Sequence, residues 1–149
     1  MKKIIITSIL LIIIGIIIGL KIPDVTQSLE DVFQTGKTYY FLQENIYTEQ
    51  EALEENTKDI KVKIVEQENN KYYVYLGITQ DIENAKKIKR LYEQKGYSIY
   101  IKERYLSNEE FETNLTQFDL LLKNTTNEKE ILTITEVVLA NYEEIIKAP

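Results

Sequence analysis

The sequence predicts an α+β protein built from three parts. These are an N-terminal transmembrane helix, a βαββαβ antiparallel sheet with two helices on one face, and a C-terminal helical hairpin. A strand–helix unit occurs twice. It first reads Tyr39-Tyr40-Phe41-Leu42-Gln43-Glu44-Asn45-Ile46-Tyr47 ahead of a polar helix start at Thr48, and then Tyr72-Tyr73-Val74-Tyr75-Leu76-Gly77-Ile78-Thr79 ahead of a helix over 81–94 and a strand over 98–102. Two such units in tandem place both helices on one side of a four-stranded sheet. An uncharged apolar run opens the chain, and two amphipathic segments close it. The other side of the sheet is expected to be open, with the Tyr-rich central strands lying on it as a binding surface.

The apolar run spans 4–20, between Lys2-Lys3 and Lys21. Seventeen residues at the helical rise reach about 25 Å, a little short of the roughly 30 Å hydrocarbon core. Lys3 and Lys21 can snorkel to cover the difference. A cleaved signal peptide requires a small-residue site after the run, and Gly19-Leu20-Lys21-Ile22-Pro23 does not supply one. The paired lysines favour a cytoplasmic tail over 1–3 and a domain on the outer side. Gly15 and Gly19 form a Gly-x-x-x-Gly pattern, which is common in membrane helices with or without self-association. A linker over 21–36 follows, broken by Pro23 and Gly36, and spans roughly 50 Å at full extension.

Within 37–103, Thr48 and Glu51 fit a capping box for a short helix to about Thr57. Alternation over 61–65 predicts a second strand with Val62 and Ile64 buried. Residues 66–70 read as a polar hairpin connection in which Asn69 and Asn70 tolerate positive φ. In the longer helix Ile82, Ala85, Ile88, Leu91 and Tyr92 form the apolar stripe, and Lys86, Lys87, Lys89, Arg90 and Glu93 the solvated side. Gly96 stands where a left-handed C-terminal cap is needed, and Ile99 and Ile101 alternate inward. Over 104–149, Ser107 and Glu110 fit another capping box. Phe111, Leu115, Phe118 and Leu122 then recur at helical spacing, as do Ile131, Ile134, Val138, Tyr142 and Ile145. The short connection predicts an antiparallel pair, packed on itself or on the sheet, or else presenting a docking surface for a partner protein.

Composition excludes several chemistries. The chain has no Cys, His or Trp, so thiolate metal sites, disulfides and the commonest general base are absent. Setting aside Lys2 and Lys3 leaves 16 basic residues against 24 acidic ones, a net of −8 after the apolar run. That balance argues against nucleic acid. Acidic pairs such as Glu54-Glu55 and Glu109-Glu110 read as solvated helix faces rather than the facing carboxylates of a glycosidase. No EF-hand spacing occurs. The expectation is a non-enzymatic protein with no cofactor and no metal.

The stretch over 37–103 resembles a SPOR domain, the sporulation-related repeat of the bacterial envelope. Leu42-Gln43-Glu44-Asn45-Ile46-Tyr47 is similar to the family's Val-Gln-Val-Gly-Ala-Phe, with Gln43 retained. Tyr73-Val74-Tyr75-Leu76-Gly77-Ile78-Thr79 is similar to Arg-Val-x-Val-Gly-Pro-Phe, with Val74 and Gly77 retained. Ala85, Leu91 and Gly96-Tyr97 fit the second helix and its exit. Asn45 stands in place of Gly, acceptable if the backbone is left-handed there, while Tyr73 and Thr79 depart from Arg and Phe. The resemblance implies binding to peptidoglycan glycan strands stripped of stem peptides, at a division or sporulation septum, by a single-pass cell-membrane protein. Envelope or division proteins are further candidate partners, and an adaptor that binds another envelope protein is the alternative.

If Leu42 and Val74 point inward, then Phe41, Gln43, Tyr73 and Tyr75 point outward, with Tyr100 beside them, and form the glycan face. Tyr suits a sugar because its ring covers the apolar face while its hydroxyl hydrogen-bonds. The same rings serve equally well as strand packing, and a one-residue slip in register reverses every assignment. RNA-recognition modules share this topology and stack bases on such aromatics, but the negative charge opposes that use.

Overall fold

The computed structural model describes residues 36–146. The expected anchor over 4–20 with Gly15 and Gly19, and all of the expected linker but Gly36, lie outside the described residues. Among the described residues no helix is long and apolar enough to cross a membrane. The fold is α+β, with four antiparallel strands and four helices. The elements in chain order are β1 (Lys37–Tyr47), α1 (Gln50–Asn56), β2 (Ile64–Glu68), β3 (Lys71–Thr79), α2 (Ile82–Gln94), β4 (Tyr100–Leu106), α3 (Glu109–Asn124) and α4 (Glu128–Ile146). The sheet order is β2-β3-β1-β4, and every neighbouring pair is antiparallel. The two strand–helix repeats therefore interleave, with β1 and β3 at the centre.

Several boundaries move for local physical reasons. α1 begins at Gln50, and its cap residue Glu49 makes no side-chain capping bond, so the Thr48–Glu51 box does not form. β2 starts at Ile64 and runs to Glu68, because Asn69 (φ 50°) and Asn70 (φ 59°) turn the chain in two residues. Glu66 is a strand residue rather than a loop residue, paired with Tyr73. Asn45 does not adopt a positive φ. β1 passes through it, and the register shifts between Leu42/Gln43 and Gln43/Asn45 absorb the irregularity. Gly96 (φ 93°) does end α2 in the left-handed region.

α2 is capped by Asp81, whose carboxylate accepts from Glu83 N (2.8 Å) and Asn84 N (3.2 Å). Ala85, Ile88, Leu91 and Tyr92 are buried as expected, whereas Ile82 is exposed and Asn84 is buried instead. α3 is capped by Asn108 rather than Ser107, since the Asn108 side chain accepts from Phe111 N at 2.9 Å. β4 continues to Leu106, opposite Lys37.

Successive strand residues point to opposite faces of a sheet. Phe41 and Leu42 are adjacent on β1 and both are fully buried, so the sheet is covered on both sides. On the Leu42 side lies α2. The space that a Cβ on Gly77 would fill is bounded by Leu42 Cδ1 at 3.1 Å, Thr135 Cγ2 of α4 at 3.3 Å and Ile88 Cγ2 at 3.4 Å. A methyl group there would crowd Leu42 and Thr135 and touch Ile88, so the absence of a side chain suits the close helix–sheet approach. On the Phe41 side lie Phe111 of α3 and Tyr142 of α4. The C-terminal helices form an antiparallel hairpin, as the Asn114–Asn141 side-chain hydrogen bond shows, and it packs on the sheet as well as on itself.

Polar contacts fix the hairpin in place. Asp119 is buried in α3 and accepts from the Thr79 hydroxyl, from Gln80 N (2.7 Å) and from Asn84 Nδ2 (3.3 Å). Lys87, expected on the solvated side, donates instead to the carbonyls of Leu122 (2.5 Å) and Thr125 (2.9 Å) at the end of α3. Burial lifts the Asp119 carboxyl above its ordinary value, although its hydrogen-bond donors pull the other way. The Asp119→Ala variant should lose about 3 kcal/mol in urea unfolding, because the Thr79 hydroxyl and the Gln80 N–H lose their carboxylate acceptor, while Asn84 Nδ2 keeps the Asp119 carbonyl. The raised folded-state value makes this carboxyl's protonation contribution complete below its unfolded value and weaker as pH rises through the folded one. Wild type should therefore gain on the variant as pH falls from about 7 to about 4.

Candidate functional site

The ring face is built from alternate residues of the central strands. Gln43 of β1 pairs with Tyr75 of β3 and with Tyr100 of β4, and Tyr75 pairs with Ile64 of β2, so one row crosses all four strands. Phe41 sits at the centre. Its ring meets Tyr75 edge-on (centroids 5.3 Å, 79°) and Tyr142 edge-on (5.5 Å, 80°), and Phe111 closes against Tyr142 (5.4 Å) and Tyr39 (5.8 Å). Rings of this size bury about 150–250 Å² each, with about 0.5–1.5 kcal/mol more per favourable pair.

The face is thus closed where the sequence left it open. Phe41 and Tyr75 are enclosed by the hairpin and form core, and Gln43 is buried at 8 % exposure. The reason is that the ring face and the apolar stripes of α3 and α4 both require cover, and each supplies it to the other. Of the five expected face residues, Tyr73 is half-buried and Tyr100 stands out at 64 % exposure. The ammonium of Lys102, itself exposed, lies 5.1 Å from the Tyr73 ring centroid. Tyr73, Tyr100 and Lys102 form the uncovered end of the face.

An ion pair that sequence reasoning missed spans the covered end. Arg104 of β4 places its guanidinium over Phe41 (4.4 Å to the centroid) and Tyr75 (5.6 Å), and donates to Glu66 of β2 at 2.9 Å. The Tyr142 hydroxyl donates to the other Glu66 oxygen at 3.1 Å. Burial is the largest single influence and opposes the Arg104 charge, but Glu66, Tyr142 and Tyr75 together outweigh it and hold the group above its ordinary value. Burial, with Glu66 beside it, pushes Tyr142 up to about 12. A second pair closes the far end of β1, where the Tyr47 hydroxyl donates to the buried Glu44 carboxylate (2.9 and 3.2 Å). The signal for Arg104 was its rarity, since this chain carries only two arginines. The cation–π contact over a strand ring is the use that favours Arg over Lys.

Among the described residues no group of three or more acidic side chains is placed to hold a metal. No protein-family model, no curated protein and no solved structure matches the chain.

The division of the face into core and rim is testable by stability. Phe41→Ala should cost about 3–5 kcal/mol in urea unfolding. Tyr100→Ala should stay within about 0.5 kcal/mol of wild type, as surface changes do. Equal losses at both positions would contradict this geometry.

Proposed function

We propose that the chain is a membrane-anchored, non-enzymatic binding protein of the bacterial envelope. Its α+β domain holds peptidoglycan glycan strands lacking stem peptides at the division or sporulation septum. The reading rests on the SPOR-like motifs of 37–103, with Lys2-Lys3 and the apolar run over 4–20 supplying the anchor and the outward orientation. One observation carries the ligand assignment: Tyr100 is left 64 % exposed beside Tyr73 and Lys102, at the end of a ring face that is otherwise sealed. A Tyr ring open to solvent offers a flat apolar surface to a sugar, and the neighbouring ammonium donates to hydroxyl or carbonyl oxygens. Phe41, Tyr75 and Gln43 hold that surface in place without reaching the glycan.

The rival reading, an adaptor held to another envelope protein by the terminal helices, has less support. Phe111, Leu115, Phe118 and Leu122 of α3, and Ile131, Ile134, Val138 and Tyr142 of α4, are all buried within the domain. Little of either apolar stripe remains for a partner.

Full-length protein in detergent micelles should be retained on purified glycan strands, and more strongly after the stem peptides are removed. Combining Tyr73→Ala with Tyr100→Ala should weaken retention about tenfold to a hundredfold with the circular dichroism spectrum unchanged, the scale of one lost aromatic stack. A folded double variant that binds as wild type does would remove this surface from consideration. In wall-stripped cells, protease added outside should digest the chain beyond Lys21, and protection of the domain would reverse the topology.

A further inference from the structure

We propose that the domain carries a second site, independent of the ring face, which takes a short peptide bearing both a free ammonium and a free carboxylate. It is the cleft of about 460 Å³ between the segment 59–62, the C-terminal end of α2 and the N-terminal half of α4. That volume falls within the roughly 300–1,000 Å³ typical of small-ligand pockets.

The cleft has an apolar lining and a charged one. Ile60, Val62, Tyr92 and Leu132 supply the first, with Ile60 and Tyr92 buried in the domain. Asp59, Glu136, Lys61 and Lys95 supply the second, two of each sign. Among the described residues, none of these four makes a salt bridge or a side-chain hydrogen bond. The Tyr92 hydroxyl likewise has no hydrogen-bond partner there, although Tyr92 is only 5 % exposed and lines the cleft.

The walls are held rather than loose. Gly96 turns the chain so that Tyr97 N donates to Tyr92 O at 3.1 Å, and the two rings meet edge-on at 6.2 Å. Lys63 Nζ donates to the carbonyls of Thr57 (3.3 Å) and Ile60 (3.5 Å), tying the segment before β2 to the end of α1. α4 contributes Leu132 and Glu136, so docking of the hairpin completes the cleft. Glu136 and Tyr97 lie close enough to add to the effect of burial in raising the Tyr92 hydroxyl above its ordinary value.

The lining chooses the ligand class. A phosphate would meet Asp59 and Glu136, and a metal ion would meet Lys61 and Lys95. A hydrocarbon would desolvate the Tyr92 hydroxyl with no replacement bond. A neutral sugar would draw on none of the four charges, three of which (Asp59, Lys61 and Lys95) are exposed. A peptide with free termini satisfies each feature: its carboxylate meets the lysines, its ammonium meets the acids, its backbone bonds the hydroxyl and its aliphatic side chains cover the apolar lining.

The test uses isotope-labelled full-length protein in micelles, with trialanine as the probe and its N-acetylated, C-amidated form as the control. Free trialanine should give saturable amide shifts at Ile60, Gly96 and Tyr97. The blocked form should bind at least about tenfold more weakly, and Glu136→Gln should weaken the free form by a similar factor. Equal binding of both forms, shifts confined to Tyr73 and Tyr100, or no saturable shift up to roughly 10 mM would each overturn the proposal. These amides belong to a separate set of residues from the ring-face rim, so failure here leaves the glycan reading standing.

Discussion

Phe41 is the residue on which the two halves of the domain converge. Its ring contacts Tyr75 from β3 and Tyr142 from α4, and the Arg104 guanidinium of β4 lies over it. Covering that ring demands the hairpin. Once the hairpin is seated, the charge that stacks on Phe41 needs a counter-charge, which Glu66 provides from the far edge of the sheet. Taking two ions partly out of water carries a desolvation cost, so this pair is better read as setting the register of α4 over the sheet than as a source of net stability. The Tyr142 hydroxyl, bonded to the same carboxylate, ties that register to the helix.

The opposite face follows a simpler rule. Leu42 meets Ile88 and Thr135 around Gly77, where the absence of a side chain lets α2 and α4 come close to β3. α4 therefore takes part in both layers, with Thr135 on the α2 side and Tyr142 on the ring side, about 10 Å apart along its axis. Asp119 performs the matching role for α3, joining the end of β3 to the start of α2 through three donors. A carboxylate with that many donors is expensive to move, and this argues that the hairpin belongs to the folded domain rather than to a detachable arm.

Much of the architecture was legible because its signals are local. The repeated aromatic strand marked β1 and β3, the 3.6-residue stripe marked α2, α3 and α4, and Asn69-Asn70 and Gly96 announced their positive φ. The errors about the ring face share one cause. Pattern reasoning treats each element alone, and the burial of Phe41, Gln43 and Tyr75 depends on a hairpin that starts only at Glu109, far along the chain from all three. A sequence pattern shows that a strand face is apolar but not what covers it. The clue available was that the hairpin's stripes outsize what two helices can bury against each other. The capping errors at Thr48 and Ser107 are of a smaller kind, because several polar residues stood close to each helix start and geometry chose among them.

Under the proposed glycan reading, the covered face restricts how a polymer could be held. An open four-stranded sheet would let a polymer lie across both central strands, with several rings stacked at once. Here Tyr100 stands on β4, the edge strand, and Tyr73 is reached beside Lys102, so contact is restricted to one end of the face. A surface of this size would engage only a few sugar rings, and the proposed affinity per domain is correspondingly modest. In the proposed reading, anchoring would add what the surface alone does not supply. A linker of roughly 50 Å at full extension would keep many copies in a thin layer above the bilayer, raising the effective concentration at any strand within reach. Weak, repeated contacts suit a ligand that is itself a repeating polymer, because several anchored copies can engage one strand together.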